Sequence, residues 1–279
     1  MGLNIANCGL QIADFVAPRP SSLCLLDCVL LINQVAFHLS LFTFPLFHFK
    51  KFSIDDSRAA MKIGTDAVLL GAWVECENEN LILDIGTGTG ILALMMAQRN
   101  PEALIDAVEL DSEAAKLAKQ NIKLSPWGER IEIFASSIQE FAIQTQHKYS
   151  LIICNPPFFA DSLKSPSETR NLARHNETLP VHVLLGCAAK LLLANGKAAF
   201  IIPADVFAFW KQEAALQSLF PCRVTIVKSS PNHKPHRVMV TFSRKQVTRI
   251  YENEISIYIS KSNYSVEYQE LTKVFYLNF

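Results

Sequence analysis

From Leu81 onward, short apolar runs alternate with stretches whose apolar residues recur at helical spacing. That alternation is the mark of a parallel sheet flanked by helices. The strands it predicts are Leu81–Ile85, Leu104–Glu109, Ile131–Ala135, Leu151–Cys154, Lys197–Ile202, Arg223–Val227 and Val238–Phe242. Helices are predicted near Gly90–Arg99, Ser112–Lys123, Pro180–Leu193 and Ala204–Leu219. The second of these sets Ala114, Leu117, Ala118 and Ile122 on one face and Lys116, Lys119, Gln120 and Lys123 on the other. Pro126 and Gly128 then stop it. Only Lys228 to Arg237 separates the last two strands, which leaves no room for a crossover helix, so they should pair antiparallel. The expected architecture is α/β: a seven-stranded, mostly parallel sheet with a reversed final hairpin and helices on both faces. No internal repeat or low-complexity linker divides it.

Residues 1–47 follow a different pattern. Leu23 to Phe49 holds 19 apolar residues in 27, with Asp27 as its one charge. A membrane span needs about 20 mostly apolar residues. Here Asn33, Gln34, His38, Ser40, Thr43 and Pro45 interrupt the stretch, and its longest unbroken apolar run is Cys28 to Ile32. Arg19 is the lone positive charge ahead of it and is offset by Asp14 and Asp27, so a secretory signal is a poor fit. Residues 1–47 are expected to be a leader that is disordered or lies outside the native domain. A tucked-in extension and a membrane attachment are the alternatives. The working domain is taken as 48–279, with no membrane expected.

Composition narrows the function classes. Half of the 279 residues are hydrophobic and 19% are charged, which excludes a disordered chain. Twenty-six basic residues balance 26 acidic ones, which excludes a polycation but leaves room for a local basic patch. The seven cysteines are scattered with no CxxC pair, so neither a disulfide framework nor a metal site is expected, and a reducing, cytoplasmic setting fits. No HExxH, Ser/His/Asp or paired-carboxylate pattern supports a hydrolase.

Leu81-Ile-Leu-Asp-Ile-Gly-Thr-Gly-Thr-Gly90 reads as a strand running into a glycine-rich turn and a helix. Such loops let backbone approach a ligand closely and offer free N–H groups at the helix start. A dinucleotide site is the competitor, but the glycines fall at Gly86, Gly88 and Gly90 with Ile91 next, so GxGxxG fails. Asp84 also stands where its carboxylate would face a pyrophosphate. Two like charges at roughly 4 Å repel by about 4 kcal/mol at an effective dielectric near 20. A carboxylate there suits a ligand with an ammonium group and a sulfonium. Glu109, at the end of the next strand, is placed to accept from two ribose hydroxyls. Asp84 and Glu109 together point to S-adenosylmethionine.

Ile-Cys-Asn-Pro-Pro-Phe, residues 153–158, follows the fourth strand, at a carboxyl end where such sheets bind ligands. The Asn155 side-chain oxygen and the Pro156 carbonyl can each accept one N–H of an exocyclic amino group. That favours a pyramidal nitrogen and turns its lone pair toward a methyl donor. Pro157 stiffens the loop, and Phe158 would stack on a planar target.

Asp84-Ile-Gly-Thr-Gly-Thr-Gly90 and Asn155-Pro-Pro-Phe158 together resemble the Rossmann-like methyltransferases that modify amino groups of planar substrates. Phe49-Lys-Lys-Phe-Ser-Ile-Asp-Asp-Ser-Arg-Ala-Ala-Met-Lys-Ile-Gly-Thr-Asp66 and Leu69-Leu-Gly-Ala-Trp73 resemble the bacterial tRNA1(Val) (adenine(37)-N(6))-methyltransferase family. So do Ser125-Pro-Trp127, Pro235-His-Arg-Val238 and the ending Asn263-Tyr-Ser…Tyr268…Phe275-Tyr-Leu277. The resemblance covers 48–279 and none of 1–47. It implies methyl transfer to an adenine amino group in tRNA, with Lys62, Thr65 and Asp66 bordering the methionine part of the cofactor. It also implies an acidic residue after the third strand to bind the cofactor's adenine. Ser136-Ser137 stands there instead, and Ser137 can accept a hydrogen bond without charge.

Ala214 to Tyr251 contains no acidic residue but seven basic ones: Arg223, Lys228, Lys234, Arg237, Arg244, Lys245 and Arg249. Lys164, Arg170 and Arg174 lie in the loop after Phe159. Of these, Lys164, Arg170, Arg174, Lys228, Lys234, Arg237, Arg244 and Lys245 are the expected contacts to substrate RNA. Two other readings stay open: methylation of a glutamine amide in a protein, and an RNA-binding module without catalysis.

Overall fold

The computed structural model describes residues 46–59, 61–157, 179–260 and 263–279. Two short strands, β1 (Leu46–His48) and β2 (Ser53–Asp55), pair antiparallel ahead of helix α1 (Thr65–Trp73). β1 thus starts two residues before position 48. The sequence of elements then alternates: β3 (Leu81–Ile85), α2 (Ile91–Arg99), β4 (Leu104–Glu109), α3 (Ser112–Lys123), β5 (Ile131–Ala135), α4 (Ile138–Gln144) and β6 (Tyr149–Cys154). It continues through α5 (Val181–Leu191), β7 (Leu192–Pro203), α6 (Phe207–Leu216), β8 (Phe220–Lys228) and β9 (Pro235–Ser243). β10 (Tyr251–Ser256), β11 (Tyr258–Ser260), β12 (Asn263–Tyr264) and α7 (Val266–Thr272) complete the chain.

The main sheet runs β10-β8-β9-β7-β6-β3-β4-β5. From β3 the chain steps outward through β4 to β5, then returns to the other side of β3 and steps through β6 to β7. The strand order therefore reverses between β3 and β6, and a ligand crevice opens where it does. The predicted α/β architecture holds, with two corrections. The sheet has eight strands: β10 joins the edge, parallel to β8. It was missed because Tyr251-Glu-Asn-Glu is exposed and polar, as befits an edge that must not template aggregation. The reversed element is β9 alone, not the β8–β9 pair as a unit. α6 is a crossover helix that returns the chain in the direction of β7 for β8, and the short link 229–234 folds β9 back antiparallel between them.

Each sheet face carries its own core. One buries α1, α2, α3 and α7, with Leu69, Leu70, Met95, Met96, Ala118 and Phe275. The other buries α4, α5 and α6, with Leu184, Leu185, Phe200, Trp210 and Val240. β3 is buried on both faces from Ile82 to Ile85, as a central parallel strand must be. α1 is apolar all round, Ala67 to Trp73 being buried without a break, so it is a core helix rather than an amphipathic one. The Lys50 ammonium donates to the carbonyls of Lys273 and Phe279 (2.6 and 2.7 Å), tying the β1–β2 turn to the chain end. Among the described residues, no helix is long and apolar enough to cross a membrane; residues 1–45 lie outside them.

Candidate active site

The glycine turn between β3 and α2 works through three left-handed residues, Gly86, Gly88 and Gly90 (φ +72°, +56° and +85°). A Cβ on Gly86 or Gly88 would meet nothing within 4 Å, so both look onto open space. A Cβ on Gly90 would sit 3.4 Å from Ile122 Cδ1, so this glycine serves the approach of α3 instead.

Asp84 is completely buried beneath the turn. Its Oδ2 accepts from the Thr87 hydroxyl (2.6 Å) and from the Ala93 N–H (3.2 Å), one of the amides that the first turn of α2 leaves unpaired. Its Oδ1 is buried with no partner. Burial pushes the carboxyl up to about 7, against the pull of those two hydrogen bonds, and the Glu109 charge adds to the rise. Glu109 is braced by the N–H groups of Gly88 (2.9 Å) and Asp111 (3.0 Å), one on each carboxylate oxygen. Each oxygen keeps a further lone pair for a hydroxyl donor.

A cleft of about 220 Å³ opens at the glycine turn, bounded by Lys62, Gly64, Asp66, Gly86, Thr87, Gly88, Asn155, Pro156 and Arg237, among others, but not by Asp84, Gly90 or Glu109. It brings together the glycine turn at the end of β3, the Asn155 loop at the end of β6 and the segment leading into α1. Asn155 is half-buried, Pro156 buried and Pro157 exposed; Phe158, Lys164, Arg170 and Arg174 lie outside the described residues. Thr65 is exposed at the start of α1 and does not line the cleft. The Lys62 ammonium bonds the Asp56 carbonyl, with the Asp56 carboxylate at 3.5 Å, and Asp56 Oδ2 also accepts from the Ile63 N–H.

Ser137 has a structural role of its own. It is the N-cap of α4: its hydroxyl oxygen accepts from the Glu140 N–H (3.1 Å), and the Glu140 carboxylate reaches back to the Ser137 N–H (3.4 Å). The Ser-x-x-Glu spacing was the available signal for this capping box. Ser137→Ala is expected to lower stability by about 1 kcal/mol while leaving the cofactor Kd within twofold, as read by denaturant titration and calorimetry.

The basic window does not form one patch. Arg237 enters the cleft, where its Nε donates to Asp66 Oδ2 at 2.8 Å across 171 residues of sequence. Lys228 pairs with Glu254 (2.8 Å), and Lys234 is exposed near the same end of the sheet. Arg223, Arg244 and Lys245 stand at the opposite end. There Arg223 stacks on Trp73 and reaches Glu75, and Arg244 bonds the Ala189 carbonyl. About seven residues of β9 separate Arg244 from Arg237, or roughly 23 Å. Arg244 and Lys245 therefore do not share a surface with the cleft: charge density along a strand says nothing about which end a residue occupies.

Comparison with known proteins agrees with this geometry. Residues 57–179 match the family described as "Methyltransferase small domain". A tRNA1(Val) (adenine(37)-N6)-methyltransferase of Parabacteroides distasonis is 41% identical over 233 residues, covering 84% of this chain and 98% of the relative. One of Bacteroides fragilis is 43% identical over 235 residues, with the same coverage. Among solved structures, a predicted O-methyltransferase of Agrobacterium tumefaciens superposes with a TM-score of 0.60 at 17% identity, over 75% of this chain and 96% of that one. That likeness speaks for the fold.

Proposed function

Because the chain belongs to the tRNA1(Val) (adenine(37)-N6)-methyltransferase family, we propose that it methylates the exocyclic amino nitrogen of adenine 37 in a valine tRNA, with S-adenosylmethionine as donor. The observation that carries this is the meeting of two motifs in one cleft: residues Gly86–Thr89 of the glycine turn and the Asn155–Pro156 loop. The residues fit the donor. The unpartnered, buried Oδ1 of Asp84 calls for a cationic or N–H group, and the open faces of Gly86 and Gly88 leave room for a ligand against the backbone. Bound there, S-adenosylmethionine supplies an electrophilic methyl group on a sulfonium.

The chain's own contribution is orientation. Asp84 and Asp66 present negative charge to the methionine end, and Glu109 presents carboxylate oxygens to the ribose. The Asn155 side-chain oxygen and the Pro156 carbonyl accept the two N–H bonds of the amino group, which localises the nitrogen lone pair for attack. The proton leaves after transfer, so no general base is required beforehand. A tRNA substrate places this work in the cytoplasm.

The test gives full-length protein methyl-labelled S-adenosylmethionine together with unmodified valine tRNA and a glutamine-bearing peptide. Label is expected in the RNA, and label in the peptide alone would refute the reading. Lys234 is exposed at the cleft end and free of an acidic partner among the described residues. Lys234→Ala should weaken tRNA binding and lower the slope of log affinity against log salt by about one, as for the loss of one phosphate contact.

A further inference from the structure

The last residue of β7, Pro203, pairs with Arg237, a residue of the cleft. The 3-10 turn 204–206 and the first turn of α6 therefore stand at the same end of the sheet as Asn155. β6, which leads into Asn155, is the neighbour of β7, with Cys154 opposite Phe200. Counting residues from that pair puts Phe209 within about 20 Å of Asn155.

α6 buries only Trp210 and Ala214. Phe209 is 50% exposed and belongs to neither core, whereas Phe207 packs against the second. The Lys211 ammonium lies 5.0 Å above the Phe207 ring, so that ring already has a cation on its face, and Phe209 is the ring left to solvent. Lys211 and Lys234 are exposed and have no acidic partner among the described residues. Exposed Asp205 stands on the turn before α6, and Lys211, two residues from Phe209, lies on the opposite flank of the helix over Phe207, so the surface is led by the ring, with Lys234 as its cation.

We propose that the first turn of α6 is a stacking platform for single-stranded RNA: Phe209 stacks on an unpaired base beside the target adenine, and Lys234 meets the neighbouring phosphate. This rests on the reading of the cleft as an RNA methyltransferase site. Extruding a base for chemistry leaves its neighbours unstacked. Proteins that bind unpaired RNA cover such bases with aromatic rings flanked by cations.

Phe209→Ala should raise KM for tRNA about ten- to a hundredfold, the loss expected for one stacked base. The kcat at saturating tRNA, the S-adenosylmethionine Kd and the melting temperature should hold, because the ring supports no core. Phe209→Trp should restore KM, and its added fluorescence should be quenched by an unstructured RNA oligonucleotide. An unchanged KM in Phe209→Ala, or no quenching of Phe209→Trp by RNA, would overturn the platform. Quenching by a protein partner and not by RNA would also overturn it. The fluorescence arm needs no turnover. Quenching by RNA without methylation of any tRNA would refute the substrate reading and keep the platform.

Discussion

Asp84→Asn is expected to give a protein that is more stable without ligand at pH 8 and that binds S-adenosylmethionine far more weakly. The wild-type carboxyl is fully buried and raised from 3.8 to about 7. A carboxyl whose folded value exceeds its unfolded one holds its proton in the folded chain while the unfolded chain has released it. Its contribution to stability is therefore intact below about pH 4, lost progressively from there to about pH 7, and flat above. The loss at pH 8 is about 4 kcal/mol, since each tenfold change in proton affinity is worth about 1.4 kcal/mol. Asparagine avoids that loss and keeps an oxygen for the Thr87 and Ala93 donors. It leaves one neutral NH2 group unpaired, at about 1–3 kcal/mol. The net gain in the ligand-free protein at pH 8 is thus about 1–3 kcal/mol, shrinking toward zero at pH 5.

The same substitution removes the negative charge offered to a cationic ligand, so the cofactor Kd should rise about 30- to 1000-fold. In the wild type, cofactor affinity should climb as pH rises through about 7, where Asp84 ionises. Thermal melts at pH 5 and 8 and calorimetric titration across that range read both effects. A destabilised Asp84→Asn at pH 8, or cofactor affinity independent of pH, would count against this role.

Asn155→Ala is the second large effect, and it separates binding from chemistry. Asn155 lines the cleft opposite the glycine turn, and Asp84 and Glu109 take their hydrogen bonds without it. The cofactor Kd should therefore stay within a few-fold. The kcat should fall about 10²- to 10³-fold, the usual consequence of removing one oriented polar group from the reacting centre. Single-turnover kinetics with cofactor and tRNA both saturating isolate that step. Equal losses in cofactor affinity and in rate would mean that Asn155 is a cofactor ligand and nothing more.

The parts of this fold legible in sequence are those whose pattern is local. β3, β4 and β5 begin and end where predicted, because each is an apolar run bounded by polar residues; α3 also keeps its predicted ends, and its buried face shares Leu117, Ala118 and Ile122 with the predicted one but takes Ala115 and Asn121 in place of Ala114. α1 escaped because an all-apolar helix has no polar face to set its period, and α4 because it is seven residues long. β10 escaped because an exposed edge strand is polar. The site divides in the same way. Asp84, the three glycines, Glu109 and Asn155 sit in contiguous motifs at strand ends, and of these Gly86, Gly88 and Asn155 line the cleft. The Asp66–Arg237 pair joins α1 to β9 across most of the domain, and only folding makes it visible. Ser137 doubles as a helix cap, because a hydroxyl that can accept from a ligand can equally accept from its own helix.

In the proposed mechanism Asn155 and Pro156 present an adenine amino group to a methyl donor held over Asp84. The most direct test of that mechanism is to incubate full-length protein with methyl-labelled S-adenosylmethionine and unmodified valine tRNA, digest the RNA to nucleosides and identify the labelled one. N6-methyladenosine is expected, absent when Asn155→Ala replaces the wild type and when adenine 37 is replaced by guanine. Label on a ring nitrogen, on a ribose hydroxyl or on any base other than adenine would contradict it.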